Sequence, residues 1–212
     1  AAQRIDWRTR AVLYGDNTEF FTPYRTGETI LGGQLTSWLD AQVGRRTSLA
    51  VGFFADRRWG STAFTDSLKP VLAVAYRGRH STGVIGTLDA DRRHGLIDPL
   101  MVSTRELVTP IEYGLQWHEV RGRVDAEAWV NWRKLNTPEQ REEFEMGLTA
   151  DVEAMPWLNV VGQHLWSHRG GQLYDAGVPV SNNRVPAKGV RQHESLPVLR
   201  RAKYTALRLR SD

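Results

Sequence analysis

The chain of 212 residues contains no cysteine. That excludes disulfide frameworks, thiolate metal sites and cysteine nucleophiles. No run of about 18 apolar residues occurs, so no segment can cross a bilayer as a helix. Repeats, low-complexity tracts and linker-like stretches are also missing, and the expectation is a single domain over residues 1–212. Acidic excess is absent too: the net charge is +4, with a pI near 9.6. A basic balance invites a nucleic-acid reading, but the arginines are scattered in pairs such as Arg45-Arg46, Arg57-Arg58, Arg92-Arg93 and Arg200-Arg201. They form no single stripe, so no nucleic-acid partner is expected.

The composition that is present, 41% hydrophobic and 25% charged, is ordinary for a folded chain. Its order is not ordinary. Alternation with a period of two dominates, which is the signature of a strand with two unlike faces. In the segment 31–43, Leu31, Leu35, Leu39 and Val43 oppose Gln34, Thr36, Trp38, Asp40 and Gln42. Val124, Ala126, Ala128, Val130 and Trp132 oppose Asp125, Glu127, Trp129, Asn131 and Arg133. Phe144, Met146, Leu148 and Val152 oppose Glu143, Glu145, Thr149 and Asp151, and Ile111, Tyr113, Leu115 and Trp117 oppose Glu112, Gln116 and His118. Weaker strands are expected at 7–15, 47–56, 70–77, 81–89, 158–167 and 203–210. About ten strands result, most near ten residues, whereas soluble strands average about five to six. A tilted membrane-spanning strand needs about nine to eleven.

The connections alternate between short and long. Tight turns are expected at 44–46, 78–79, 121–123 and 154–156, where the glycines of Arg77-Gly78-Arg79 and Arg121-Gly122-Arg123 can supply a positive φ. Long connections are expected at 16–29, 57–69, 90–110 and 169–199, with a medium one around Asn136-Thr137-Pro138-Glu139. Short turns at one end and long loops at the other are the habit of outer-membrane barrels. The opening Ala1-Ala2-Gln3 matches what remains after cleavage at a small-residue site, as well as a plain chain start. The last strand lacks a terminal aromatic residue, which leads us to expect further strands in the full protein.

The polar faces supply the candidate site. Glu112, Gln116, His118, Asp125, Glu127, Asn131, Arg133, Glu143, Glu145 and Asp151 would line a lumen and contact solute. The alternative is the solvated face of a sheet. Loop 90–110 carries Leu96, Ile97, Leu100, Met101, Val102, Leu107 and Val108, too apolar to stay in water, so it should fold back and bring Arg92, Arg93, His94 and Asp98 to a constriction. Asp125 and Glu127 also have the spacing of a glycosidase carboxylate pair, but position 123 is Arg where such strands usually carry a third acid. His164 and His168 would lie about 13 Å apart along a strand, too far to share a metal. Trp7, Trp59, Trp132 and Trp157 sit near strand ends, where interfacial girdles lie; Trp38 and Trp129 fall on polar faces and fit neither a girdle nor an apolar core. No cofactor, metal or catalytic residue is expected.

Several stretches resemble a group of little-characterised, porin-like bacterial outer-membrane proteins: Glu19-Phe20-Phe21-Thr22-Pro23 with Gly27-Glu28-Thr29, Gly32-Gly33-Gln34-Leu35, His94-Gly95-Leu96-Ile97-Asp98-Pro99-Leu100, Glu112-Tyr113-Gly114-Leu115-Gln116 and Trp129-Val130-Asn131-Trp132. The resemblance covers roughly residues 19–175 and implies a surface barrel. Together these readings give an all-β, antiparallel up-and-down barrel, or part of a larger one, in the bacterial outer membrane. It would be a passive channel or an export or attachment scaffold and not an enzyme. Its partners would be membrane lipid, small solutes or a glycan, and copies of itself or a membrane complex. The runner-up is a soluble β-sandwich or barrel binding a glycan or small ligand through its loops.

Overall fold

A computed structural model describes residues 4–18, 27–89, 91–97, 99–171, 173–177, 180–192 and 206–209. Ten long antiparallel strands run up and down in chain order: β1 Ile5–Thr18, β2 Glu28–Gln42, β3 Thr47–Arg58, β4 Ser67–Arg77, β5 Ser81–Thr87, β6 Tyr113–Arg121, β7 Val124–Lys134, β8 Glu142–Met155, β9 Leu158–Gly170 and β10 Ser181–Gln192. A short β11, Ala206–Leu209, pairs with β1. Among the described residues the sheet order is β10-β9-β8-β7-β6-β5-β4-β3-β2-β1-β11.

Contacts divide the chain into two compact units, 1–72 with 198–212, and 73–197. In the first, β1 pairs with β2 from Ile5↔Ala41 to Thr18↔Glu28 without a break. The Tyr14 hydroxyl donates to Asp56 Oδ1 at 2.9 Å, and both side chains are buried, as are Gln34 and Asp40. Leu13, Leu31, Leu35 and Leu39 on the opposite face are exposed.

The second unit repeats this inversion more strongly. Glu112, Gln116, Asn131, Glu145 and Gln163 are buried, while Ile85 is 62% exposed and Leu148 51%. Water would penalise such an arrangement, because each large apolar side chain left exposed forgoes about 1.5–3 kcal/mol. A hydrocarbon surround removes the penalty, and the outward apolar band with a polar interior is the pattern of membrane β-barrels. The alternation read in β2, β6, β7 and β8 therefore has its apolar residues outward.

In each unit the tight turns join the strands at one end and the long connections at the other, as up-and-down connectivity requires. The turn between β6 and β7 does use glycine's freedom, with Gly122 at φ +60. Gly78 does not: its φ is not positive, and the turn closes instead through Gly78 N–H to Ser81 O at 2.7 Å. A larger correction concerns 169–199, expected as loop. It contains β10, paired with β9 from Ser181↔Arg169 to Gln192↔Leu158. Asn182, Asn183, Pro186 and Gly189 suit strands poorly, but among the described residues β10 pairs with β9 alone, and a strand paired on one side tolerates Pro186. The strand expected at 203–210 is described only as β11, its other residues lying outside the described set.

Candidate functional site

The site lies in the second unit, where the connection between β5 and β6 folds onto the polar face of the sheet. This connection carries a 3-10 turn, Asp91–Gly95, and one turn of α-helix, α1, Arg105–Val108. The apolar content of the loop drives the collapse: Leu96, Met101 and Leu107 are buried, and Leu96 and Met101 pack with Leu88 and Trp129. At about 25 cal/mol per Å² such burial supplies several kcal/mol.

Two strand glutamines hold the loop's main chain. Gln163 Nε2 donates to Gly95 O at 2.8 Å, and Ile97 N–H donates back to Gln163 Oε1 at 3.1 Å. Gln116 Nε2 donates to Asp89 O at 2.8 Å while Asp89 N–H donates to Gln116 Oε1 at 2.9 Å. Between these two clamps the backbone enters the left-handed region at Arg93 (φ 53) and His94 (φ 54). Each such non-glycine residue costs about 1–2 kcal/mol, and what the strain achieves is the placement of His94.

His94 is 2% exposed and stacks on the Trp129 indole, with ring centroids 4.1 Å apart and planes 10° from parallel. Its Nδ1 meets Glu127 Oε1 at 2.5 Å and its Nε2 meets Glu112 Oε2 at 3.2 Å. An imidazole with a carboxylate at each nitrogen is held as the cation. Burial alone would lower its pKa, but the hydrogen bonds and charges of Glu112 and Glu127 outweigh burial and raise it to about 9. The network continues through α1. Arg105 Nη2 bonds Glu112 Oε1 at 3.2 Å and also reaches Glu145 Oε2, whose other oxygen accepts from Arg133 Nη1 at 3.1 Å. Burial would raise Glu112, yet the hydrogen bond from His94 and the Arg105 charge hold its carboxyl below the usual range. Three carboxylates and three cations thus alternate and balance.

Three polar atoms at the site are not used up among the described residues. The two hydrogen bonds to Glu127, from His94 and from Gln116 Nε2 at 2.8 Å, both fall on Oε1, leaving Oε2 open on a side chain that is 15% exposed. Arg105 Nε and the Trp129 indole N–H are buried without a hydrogen-bond partner.

The structure brings Glu112, Gln116, Glu127, Glu145, Arg133 and His94 into this one network. It leaves the other expected residues elsewhere. His118 pairs with Asp125 at 2.6 Å, Glu143 takes Lys134 and Arg169, and Asp151 accepts from Asn159. Asn131 is buried and receives the Tyr113 N–H. Arg93 binds Glu106 at 3.2 Å. Asp98 and the Arg92 side chain lie outside the described residues. Asp125 and Glu127 do not act as a facing pair, since each has its own histidine. Arg105, Gln163 and Trp129 were not foreseen as site residues; only Trp129, an indole on a polar face, gave a signal. Gly147 makes room for it, because a Cβ there would run into the indole. Gly52 differs: a Cβ there would meet the neighbouring strand at Ser37 O and the Trp38 Cα and Cβ rather than an indole. Among the described residues no three of His, Asp and Glu form a set that could hold a metal ion.

A family model described as lipid A 3'-O-deacylase-type matches residues 1–209. The chain belongs to this family. The family is associated with the bacterial outer membrane, in keeping with the all-β fold and its outward apolar faces. Membership also corrects the expectation of a non-enzymatic protein, because the family is named for removal of an O-linked acyl group, a catalysed reaction. That expectation rested on the lack of a recognisable catalytic motif, and sites assembled across loops and strands leave none. No curated protein matches the chain at a significant level.

Proposed function

We propose that this chain is an outer-membrane β-barrel enzyme that hydrolyses an acyl ester of a lipid A-type glycolipid, with its chemistry at the His94 network. Ester hydrolysis needs a base to take a proton from water and a donor for the oxyanion that develops on the acyl carbonyl. The observation that carries the reading is the uncommitted oxygen of Glu127 beside a fully engaged imidazolium. Glu127 Oε2 is the base, and the positive charge of the network, from His94, Arg105 and Arg133, stabilises the oxyanion. His94 does not serve as base, since both its nitrogens are occupied; it fixes Glu127 and adds positive charge. Water attacks the carbonyl carbon as its proton passes to Glu127. The tetrahedral oxyanion then collapses, the C–O bond to the sugar breaks, and the proton goes to the departing sugar oxygen.

The test is mass spectrometry of lipid A incubated with the purified protein in detergent. Wild type should release one ester-linked acyl chain, and Glu127→Gln should lower the rate by about 10²–10⁴-fold, the usual worth of a general base. No release by wild type would end the reading, whereas an active Glu127→Gln would end only the assignment of the base.

A further inference from the structure

On the opposite, outward face of the second unit, the cross-strand row Gly83–Trp117–Ala128–Leu148–His164 lies beside the row Ile85–Leu115–Val130–Met146–Trp166. The Trp117 ring lies against Gly83, Ala128 is small where its neighbours are large, and between the two rows lies a depression of about 620 Å³. Its walls are Ile85, Leu115, Trp117, Met146 and Leu148, with almost no polar surface. That volume and chemistry suit a length of acyl chain.

Toward the long-connection end, the second row passes into an aromatic cluster. Phe144 meets Trp132 and Trp166, each with ring centroids 5.6 Å away, and His168 at 4.8 Å. Arg184, fourth residue of β10 and register partner of Trp166, places its guanidinium 5.2 Å from the indole centroid. It is exposed, and among the described residues no carboxylate pairs with it. An arginine on a lipid-facing strand surface costs up to about 2–4 kcal/mol at the bilayer midplane and little near the interface. Placed within one turn of the strand end and resting on an indole, it sits where an anionic headgroup would be and where such a group would offset its desolvation.

We propose that this outward strip is a binding site for a phospholipid of net negative charge, its acyl chain in the depression and its anionic headgroup on Arg184. The site rests on the outer-membrane reading but not on ester hydrolysis, since it lies across the sheet from His94. The partner's charge is set by Arg184 and its chain by the apolar walls.

Native mass spectrometry of the full chain, released from nanodiscs of phosphatidylglycerol mixed with phosphatidylcholine, tests both halves. Wild type should retain phosphatidylglycerol in preference, by about tenfold for one charge-assisted contact. Arg184→Gln should abolish the preference, while Lys69→Gln, the same charge change elsewhere, should keep it. Ala128→Phe should fill the depression and lose the bound lipid, with Val130→Phe as a second variant if the first does not fold. A preference that survives Arg184→Gln, or retention that survives both filling variants, overturns the proposal. Neither readout depends on turnover, so loss of lipid retention and loss of acyl release are separable failures.

Discussion

Replacing His94 with glutamine should loosen the loop over 91–109 and remove most of its pH dependence above neutrality. The side chain is buried between Glu112 and Glu127, and its pKa is raised from 6.5 to about 9. A shift of that size corresponds to about 3 kcal/mol of differential stabilisation. It agrees with the roughly 3–5 kcal/mol lost when one partner of a buried ion pair is removed. The sign follows from linkage. The closed loop keeps a proton that the open loop releases, so the stabilisation is complete below pH 6.5 and is lost as the pH rises toward 9. Hydrogen exchange of the amides 93–101, corrected for the intrinsic effect of pH, measures the opening free energy directly. Wild type should lose about 3 kcal/mol of opening free energy between pH 6.5 and 9, and His94→Gln should be weaker from the start and nearly flat over that range. A variant with wild-type protection and wild-type pH dependence would refute the idea that this cation locks the loop.

Leu148→Arg should hinder insertion into lipid vesicles by about 2–4 kcal/mol, the cost of an arginine at the bilayer midplane; unchanged folding yield in vesicles would favour a water-exposed sheet. Leu96→Ala removes a side chain packed with Met101 and Trp129 and should weaken loop closure by about 2–5 kcal/mol, read by the same exchange experiment. Gly147→Val should displace the Trp129 indole and unstack it from His94, visible as increased exchange at residues 93–95. Gly122→Ala forces a Cβ into φ +60 and should cost about 1–2 kcal/mol in the urea unfolding midpoint, with no effect on acyl release.

Much of the architecture was legible in residue order. In β7, apolar residues from Val124 to Trp132 alternate with Asp125, Glu127 and Asn131, and a strand of that pattern can satisfy both faces only with unlike surroundings. The spacing of turns set the up-and-down order, and the seven apolar residues of 90–110 were enough to say that the loop must fold back. Strand β10 was hidden because its own preferences are weak and only pairing with β9 makes it extended. The site itself was decided by tertiary structure. Glu112 lies 18 residues from His94 and Glu127 lies 33 away, and neither Arg93 nor His94 is a residue that calls for a left-handed backbone. Sequence specifies which residues share a face, because side chains on a strand alternate between its two sides. Which buried charges meet is fixed by where the collapsed loop comes to rest against the strands, and that depends on every contact the loop makes.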